Sequence, residues 1–200
     1  GYRDARRYLA QRRDEGVPLT PEATAMKDGQ LGLTFRETMS GPFALGETDP
    51  KAGEAAGKKA DTTLAMHATV EVSDLDQFVA DSTHTGAITG HIDFTPFGKN
   101  IPASRGVFRL FSPTENKALR HMVYELAFEH DNQQYYLAGR KEVHNDKKGT
   151  DLWNDTTTLL TRLHKGTGPD GPVVGAGVLK LGITDLAKLT STIHVTNAAH

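Results

Sequence analysis

The chain contains no cysteine among its 200 residues. Disulfides and thiolate metal sites are therefore excluded, and the redox compartment stays open. No apolar run approaches the roughly 20 residues that a helix needs to span a bilayer. Positive charge is not in excess: 23 Lys and Arg against 25 Asp and Glu leave a net charge of −2. That balance offers no electrostatic footprint for nucleic acid. Serine chemistry lacks its usual frame, because there is no G-x-S-x-G elbow and no base at a recognisable spacing from Ser40. Long helical periods between the short apolar stretches are also missing, which argues against a βαβ architecture. Gly1 stands where an initiator methionine would, with no signal-peptide core behind it, and the expectation is a piece of something longer.

What is present is alternation. The stretch Asp151–Lys165, DLWNDTTTLLTRLHK, holds the only tryptophan and three consecutive β-branched threonines. Read as one strand, it places Trp153, Asp155, Thr157, Leu159, Thr161 and Leu163 on a single face. Similar patterns predict strands over Leu31–Met39, Thr62–Val72, Gly86–Phe94, Arg105–Phe111, Leu119–Glu129, Gln134–Val143, Val173–Leu181 and Thr190–Val195. Asp131-Asn132 is a hairpin signal. Ser73 is expected to cap a short helix over Asp74–Ala80. Gly46–Asp61, small, charged and glycine-rich, reads as a mobile loop, and Pro96, Gly98 and Pro102 read as a connection. Tyr2–Arg13 has a thin apolar stripe among arginines and reads as a short helix lying solvated against the domain or ending a preceding one. The alternative is a basic amphipathic helix that docks on an acidic partner or membrane surface. The organisation expected is a helical arm and linker over 1–30, then a single β domain over 31–196. That domain is all-β, an antiparallel lipocalin-like barrel or a β-sandwich of about eight or nine strands. TVEVSDLDQF and VLKLGITDLAKL each run from a strand into a D-L turn of helix, a weak internal echo of two halves, each closed by a small helical plug.

Polar residues in register with apolar faces are the candidate site. Glu37 follows Leu33 and Phe35, Lys141 shares a face with Tyr135, Leu137 and Val143, and Asp155 shares one with Trp153 and Leu159. If these faces point inward, charged groups converge inside the domain and must be paired or wet. One reading is a structural ion-pair network, or strand ends where the charges reach solvent. Another is a cavity for an amphipathic ligand, built from Glu37, Phe35, Lys141, Trp153, Asp155, Thr157 and Leu159. A third is acid–base chemistry by Glu37 and Asp155. VVGAGVL at Val173–Leu179 lacks the third glycine and the helix of a dinucleotide fingerprint and reads as a strand, so no nucleotide cofactor is expected. His91 and Asp93 sit at i and i+2, with His67 the only obvious third ligand. The histidines are otherwise scattered singly, and no metal is expected.

LTFRETMSG, VSDLDQFVAD followed by GAITGHIDF, RGVFRLF, MVYELAF, LAGRKEV and DLWNDTTTLLTRL together resemble a β domain of certain bacterial polypeptides. Those polypeptides also contain a cholesterol-oxidase-like FAD oxidoreductase of the glucose–methanol–choline type, and some carry an α/β-hydrolase-like part. The similarity runs from about Leu31 to Val195, and D-x-W-x-D-T-T-T-L is its most specific piece. It implies a non-catalytic accessory domain beside a sterol- or lipid-directed enzyme, with an apolar small molecule as ligand and the oxidoreductase domain as partner. It does not imply that this chain is itself a flavoenzyme. The alternatives are a small acid–base enzyme working in the cavity and a purely structural interaction module docking through the N-terminal arm.

Overall fold

The computed structural model describes residues 30–144, 146, 155–182 and 193–198. The N-terminal arm and Trp153 lie outside the described residues. In chain order the elements are β1 (Gln30–Leu45), α1 (Pro50–Ala60), β2 (Thr63–Val72), α2 (Leu75–Ala80), β3 (Thr85–Phe94), β4 (Gly98–Ala103) and β5 (Arg105–Pro113). They continue with β6 (Leu119–His130), β7 (Gln133–His144), β8 (Thr158–Lys165), β9 (Val173–Lys180) and β10 (His194–Ala198). Every pairing is antiparallel, and the strand order β1-β2-β3-β5-β6-β7-β8-β9 returns to β1. The domain is a closed eight-stranded barrel with lipocalin-like up-and-down connectivity. Among the described residues no helix is long and apolar enough to cross a membrane.

Closure depends on β1. Its 16 residues reach three partners: Gln30–Thr34 pair with β10, Leu33–Pro42 with β2, and Ser40, Phe43, Ala44 and Leu45 with β9. Gly41-Pro42 therefore does not end this strand. It lies where β1 leaves β2 for β9, and a proline is tolerated where the ladder changes partner. Phe43 pairs with Gly177 across that seam, and a Cβ on Gly177 would collide with the Phe43 ring. The glycines of VVGAGVL make room for a core aromatic.

The inward faces follow the alternation. Leu64, Met66, Ala68, Val70 and Val72 of β2, Ile88, Ile92 and Phe94 of β3, and Leu159 and Leu163 of β8 are all buried in one core. One end of the barrel is sealed by aromatic rings. Phe94 meets Phe43 edge-on at 5.3 Å between centroids and Phe97 at 5.0 Å, and Phe97 also packs on Tyr135 and stacks on His130. Such pairs add to area burial through quadrupole geometry. The β6–β7 hairpin at this end turns on Asp131 and Asn132, both at positive φ, with His130 opposite Gln133. This is the two-residue I′ turn that the Asp-Asn pair signals.

Four local expectations are corrected. Gly46–Asp61 is no mobile loop, since most of it is helix α1. Asp49 caps α1 by accepting from the Lys51 and Ala52 amides at 3.0 Å, and Pro50 opens it. Gly53 and Gly57, one turn apart, let the helix lie directly on the β1–β9 seam: a Cβ at Gly53 would strike the Ala176 carbonyl, and one at Gly57 the backbone of Phe43. Glycine here serves close approach, a role that composition cannot distinguish from flexibility. Helix α2 is capped by Asp74, which accepts from the Gln77 amide at 2.9 Å, and not by Ser73. The segment with Pro102 is strand β4, paired to the far half of β3 opposite Ile92 and His91 while β5 pairs the near half. β8 begins only at Thr158, because residues 155–157 form a helical turn. The helical half of the second echo lies outside the described residues.

Replacing Gly57 by valine should destabilise the fold by about 1–3 kcal/mol through overpacking against Phe43. Ala55→Val, on the exposed side of the same helix, should stay within about 0.5 kcal/mol of the parent. Urea unfolding of both variants checks the contrast, and equal effects would contradict the docking described for α1.

Candidate functional site

Away from the aromatic seal, the other end of the barrel contains a cavity of about 270 Å³. Its wall is apolar: Leu33 and Phe35 from β1, Val72 from β2, Phe108 and Leu110 from β5, Met122 from β6, Phe78 from α2, and Leu181. Phe35 meets Phe108 edge-on at 5.9 Å, and Phe108 meets Tyr124 edge-on at 5.2 Å, so three rings form a continuous surface. Helix α2 follows β2 and buries Phe78 into this end. It is one helical plug of the kind the sequence echo implies.

The inner end of the cavity is polar. Glu37 and Lys141 project inward from β1 and β7, strands that are not neighbours in the sheet, so their contact crosses the lumen. Lys141 Nζ donates to Glu37 Oε1 at 2.8 Å and to the Tyr124 hydroxyl at 3.2 Å, with both charged side chains 3% or less exposed. The Tyr124 phenol lies beside the Glu37 carboxylate, whose charge acts on it. The three groups form one cluster in which the ammonium has both a charged and a neutral partner. That arrangement is what makes a buried pair tolerable, since desolvation of two ions costs several kcal/mol unless the geometry is good and the remaining valences are filled. Burial, first, and then the neighbouring carboxylate hold the Tyr124 phenol well above its usual range, so it stays protonated as a donor.

The structure brings together part of the residue set expected from the sequence. Phe35, Glu37, Lys141 and Thr157 all line the cavity. Thr157 does so from the helical turn preceding β8. Leu159 is fully buried in the core but does not line the cavity. Thr161 is also buried, with its hydroxyl donating to the Leu159 carbonyl at 3.1 Å. Asp155 is placed differently from the expectation. It lies on the helical turn and accepts from the His144 amide at 3.1 Å and pairs with His144 Nδ1 at 2.9 Å. It does not line the cavity, so Glu37 and Asp155 do not face each other there as an acid–base pair. Trp153 lies outside the described residues. Tyr124 was missed, although its signal was present: Met122, Tyr124, Leu126 and Phe128 alternate on one face of β6. Nothing in that pattern says that a tyrosine four strands round the barrel from β1 will lie beside Glu37.

The fold and the site together define a closed antiparallel barrel with an open, largely apolar cavity ending on a buried polar triad. No protein-family model, curated protein or solved structure matches the chain.

Truncating one partner of the pair leaves an uncompensated buried charge, so Lys141→Met should cost about 3–5 kcal/mol. The Glu37→Leu/Lys141→Met double variant should lose less than the sum of the single variants, by about 0.5–3 kcal/mol. Urea unfolding of the four members of the cycle measures this, and additive losses would mean that the two groups do not interact.

A second prediction concerns pH. Tyr124 and Tyr136 both have raised pKa values. For Tyr136 the causes are burial and then its 2.8 Å bond to Glu125. Raised phenol pKa values contribute stability that is present below the unfolded tyrosine value of about 10 and is lost as pH rises above it, because the unfolded chain releases its protons first. Stability should begin to fall as pH rises through about 10 and keep falling towards the raised folded-state values, and Tyr124→Phe should reduce that fall even if it lowers stability at neutral pH. An unchanged slope in the variant would contradict the environment described for Tyr124.

Proposed function

We propose that this domain is a non-catalytic ligand-binding barrel that holds a lipid- or steroid-like molecule, serving as an accessory unit beside a sterol- or lipid-directed FAD oxidoreductase. The observation that carries the ligand reading is an apolar cavity whose inner end is a paired, neutral cluster of charges. A barrel that only needed a core would close this space with leucine or phenylalanine, as it does at the opposite end. Small-molecule pockets usually combine an apolar wall with a few convergent polar groups.

The chemistry of the triad narrows the ligand. Glu37 and Lys141 balance each other, so a charged headgroup would disturb a closed ion pair. A hydroxyl or ketone can join the cluster by donating to the carboxylate or accepting from the phenol or ammonium. The cavity volume of about 270 Å³ is just below the range of roughly 300–1,000 Å³ common for ligand pockets. It suits one end of a sterol or a medium-length acyl alcohol, with the remainder emerging at the mouth beside α2. The partner assignment rests on the sequence resemblance alone.

Native mass spectrometry of the chain purified from its host, with organic extraction of co-purifying species, tests the reading. A stoichiometric neutral amphiphile is expected. Met122→Trp, which fills the cavity, should abolish its binding. Tyr124→Phe should weaken it about tenfold, the value of one hydrogen bond. A ligand-free mass combined with no thermal shift from sterols and medium-chain alcohols would overturn the ligand reading.

A further inference from the structure

The strands that build the cavity carry a second constellation on their outer face. Alternation sends Met66 and Ala68 into the core and His67 outward, and on β3 it sends Ile92 inward and His91 and Asp93 outward. In the β2–β3 register His67 stands directly opposite His91, and the two imidazoles stack with centroids 4.4 Å apart and an interplanar angle of 19°. Asp93, two residues beyond His91 on the same face, brings Oδ2 to 3.1 Å from His67 Nε2. One donor atom from each of the three side chains falls within 4.8 Å of the others. All three residues are only partly buried, so water has access to the space between them.

We infer that His67, His91 and Asp93 form a binding site for a first-row divalent transition-metal ion such as Zn²⁺ or Co²⁺. Two imidazoles and a carboxylate are a complete three-residue ligand set for such an ion, leaving the remaining position to water. A tetrahedral ion with bonds of about 2.0–2.1 Å holds its ligand atoms roughly 3.3 Å apart. The His67–Asp93 edge, at 3.1 Å, already has that length. The His91 ring must move by up to about 1.5 Å, to bring its nitrogen from the observed 4.8 Å limit to that spacing, and must turn out of its stack on His67 so that both ring lone pairs point at one ion.

The flanking hydrogen bonds support the assignment independently of the donors. Thr38 Oγ1, on β1 opposite His67, lies 3.1 Å from His67 Nδ1. A hydroxyl can donate to that nitrogen or accept from it. With the ion absent, Nε2 carries the proton that bonds Asp93, and Thr38 donates to Nδ1. With the ion bound, the proton resides on Nδ1 and bonds Thr38, and Nε2 offers its lone pair. The metal thus takes the place of one proton between Nε2 and Oδ2, and the tautomer change needs only rotation of the threonine hydroxyl. Asp93 is oriented in the same manner, because its other oxygen, Oδ1, accepts from the Asn100 amide at 2.7 Å. Outer bonds of this kind hold ligating side chains in place and tune their affinity.

The test is titration of Co²⁺ into chelator-treated chain lacking any polyhistidine tag, followed by visible ligand-field absorption, with Zn²⁺ in competition. One ion per chain is expected, and the ring resonances of His67 and His91 should be those perturbed in the NMR spectrum. His91→Ala and Asp93→Asn should each weaken binding about tenfold or more, Thr38→Val should weaken it within the roughly 10–100-fold range typical of outer-shell changes, and His130→Ala should leave it unchanged. Absence of stoichiometric binding, or binding that survives both ligand substitutions or perturbs other histidines, would overturn the assignment.

Discussion

Closure of β1 on β9 is the constraint from which the other features follow. A meander of antiparallel strands has two edges, and edge strands invite pairing with other chains. Here the first strand is long enough to satisfy β2 along one side while its two halves take β10 and β9 on the other. The seam is tight because Gly177 yields space to Phe43 and because Gly53 and Gly57 let α1 rest on the backbone of both strands. Without that closure Glu37 and Lys141, 104 residues apart in sequence, would have no common interior.

Once the barrel is closed, its two ends have different chemistry. The end sealed by Phe43, Phe94, Phe97 and Tyr135 is a core in the ordinary sense. Towards the other end the same lumen contains an ion pair and a phenol, with an apolar cavity between them and helix α2. Placing charges where leucines would serve is costly, and the cost is contained by the 2.8 Å ion pair and by the phenol that also accepts from the ammonium. That asymmetry separates the lumen into a packed aromatic part and a part that contains the cavity. The outer surface shows a second division of labour. The alternation that turns Met66 and Ile92 inward presents His67, His91 and Asp93 outward, so one pair of strands supplies both core and candidate metal ligands.

Much of this was legible in the residues. Period-two patterning identified nearly every strand and its inward face, and Asp131-Asn132 marked the β6–β7 hairpin. Glu37 and Lys141 stood out because each was a charge in line with apolar neighbours, and burying one requires burying a counter-charge. The failures have physical causes. The loop assigned to Gly46–Asp61 confused glycine used for close packing with glycine used for freedom, and only the backbones of Phe43 and Ala176 distinguish the two. Asp155 was placed on a strand face because the threonines after it have strong β propensity, yet bonds to the His144 amide and ring hold it on a helical turn.

The sequence by itself determined the β character of the domain, the identity of its inward-facing residues and the need for buried charges to find partners, because these depend on alternation and desolvation along a local stretch of chain. Tertiary structure alone decided that the sheet closes into a barrel, that Tyr124 completes the contact between Glu37 and Lys141, and that His67 meets His91 and Asp93. Those outcomes depend on register and on which strands become neighbours across the lumen or the sheet, relations between distant segments that no local pattern encodes.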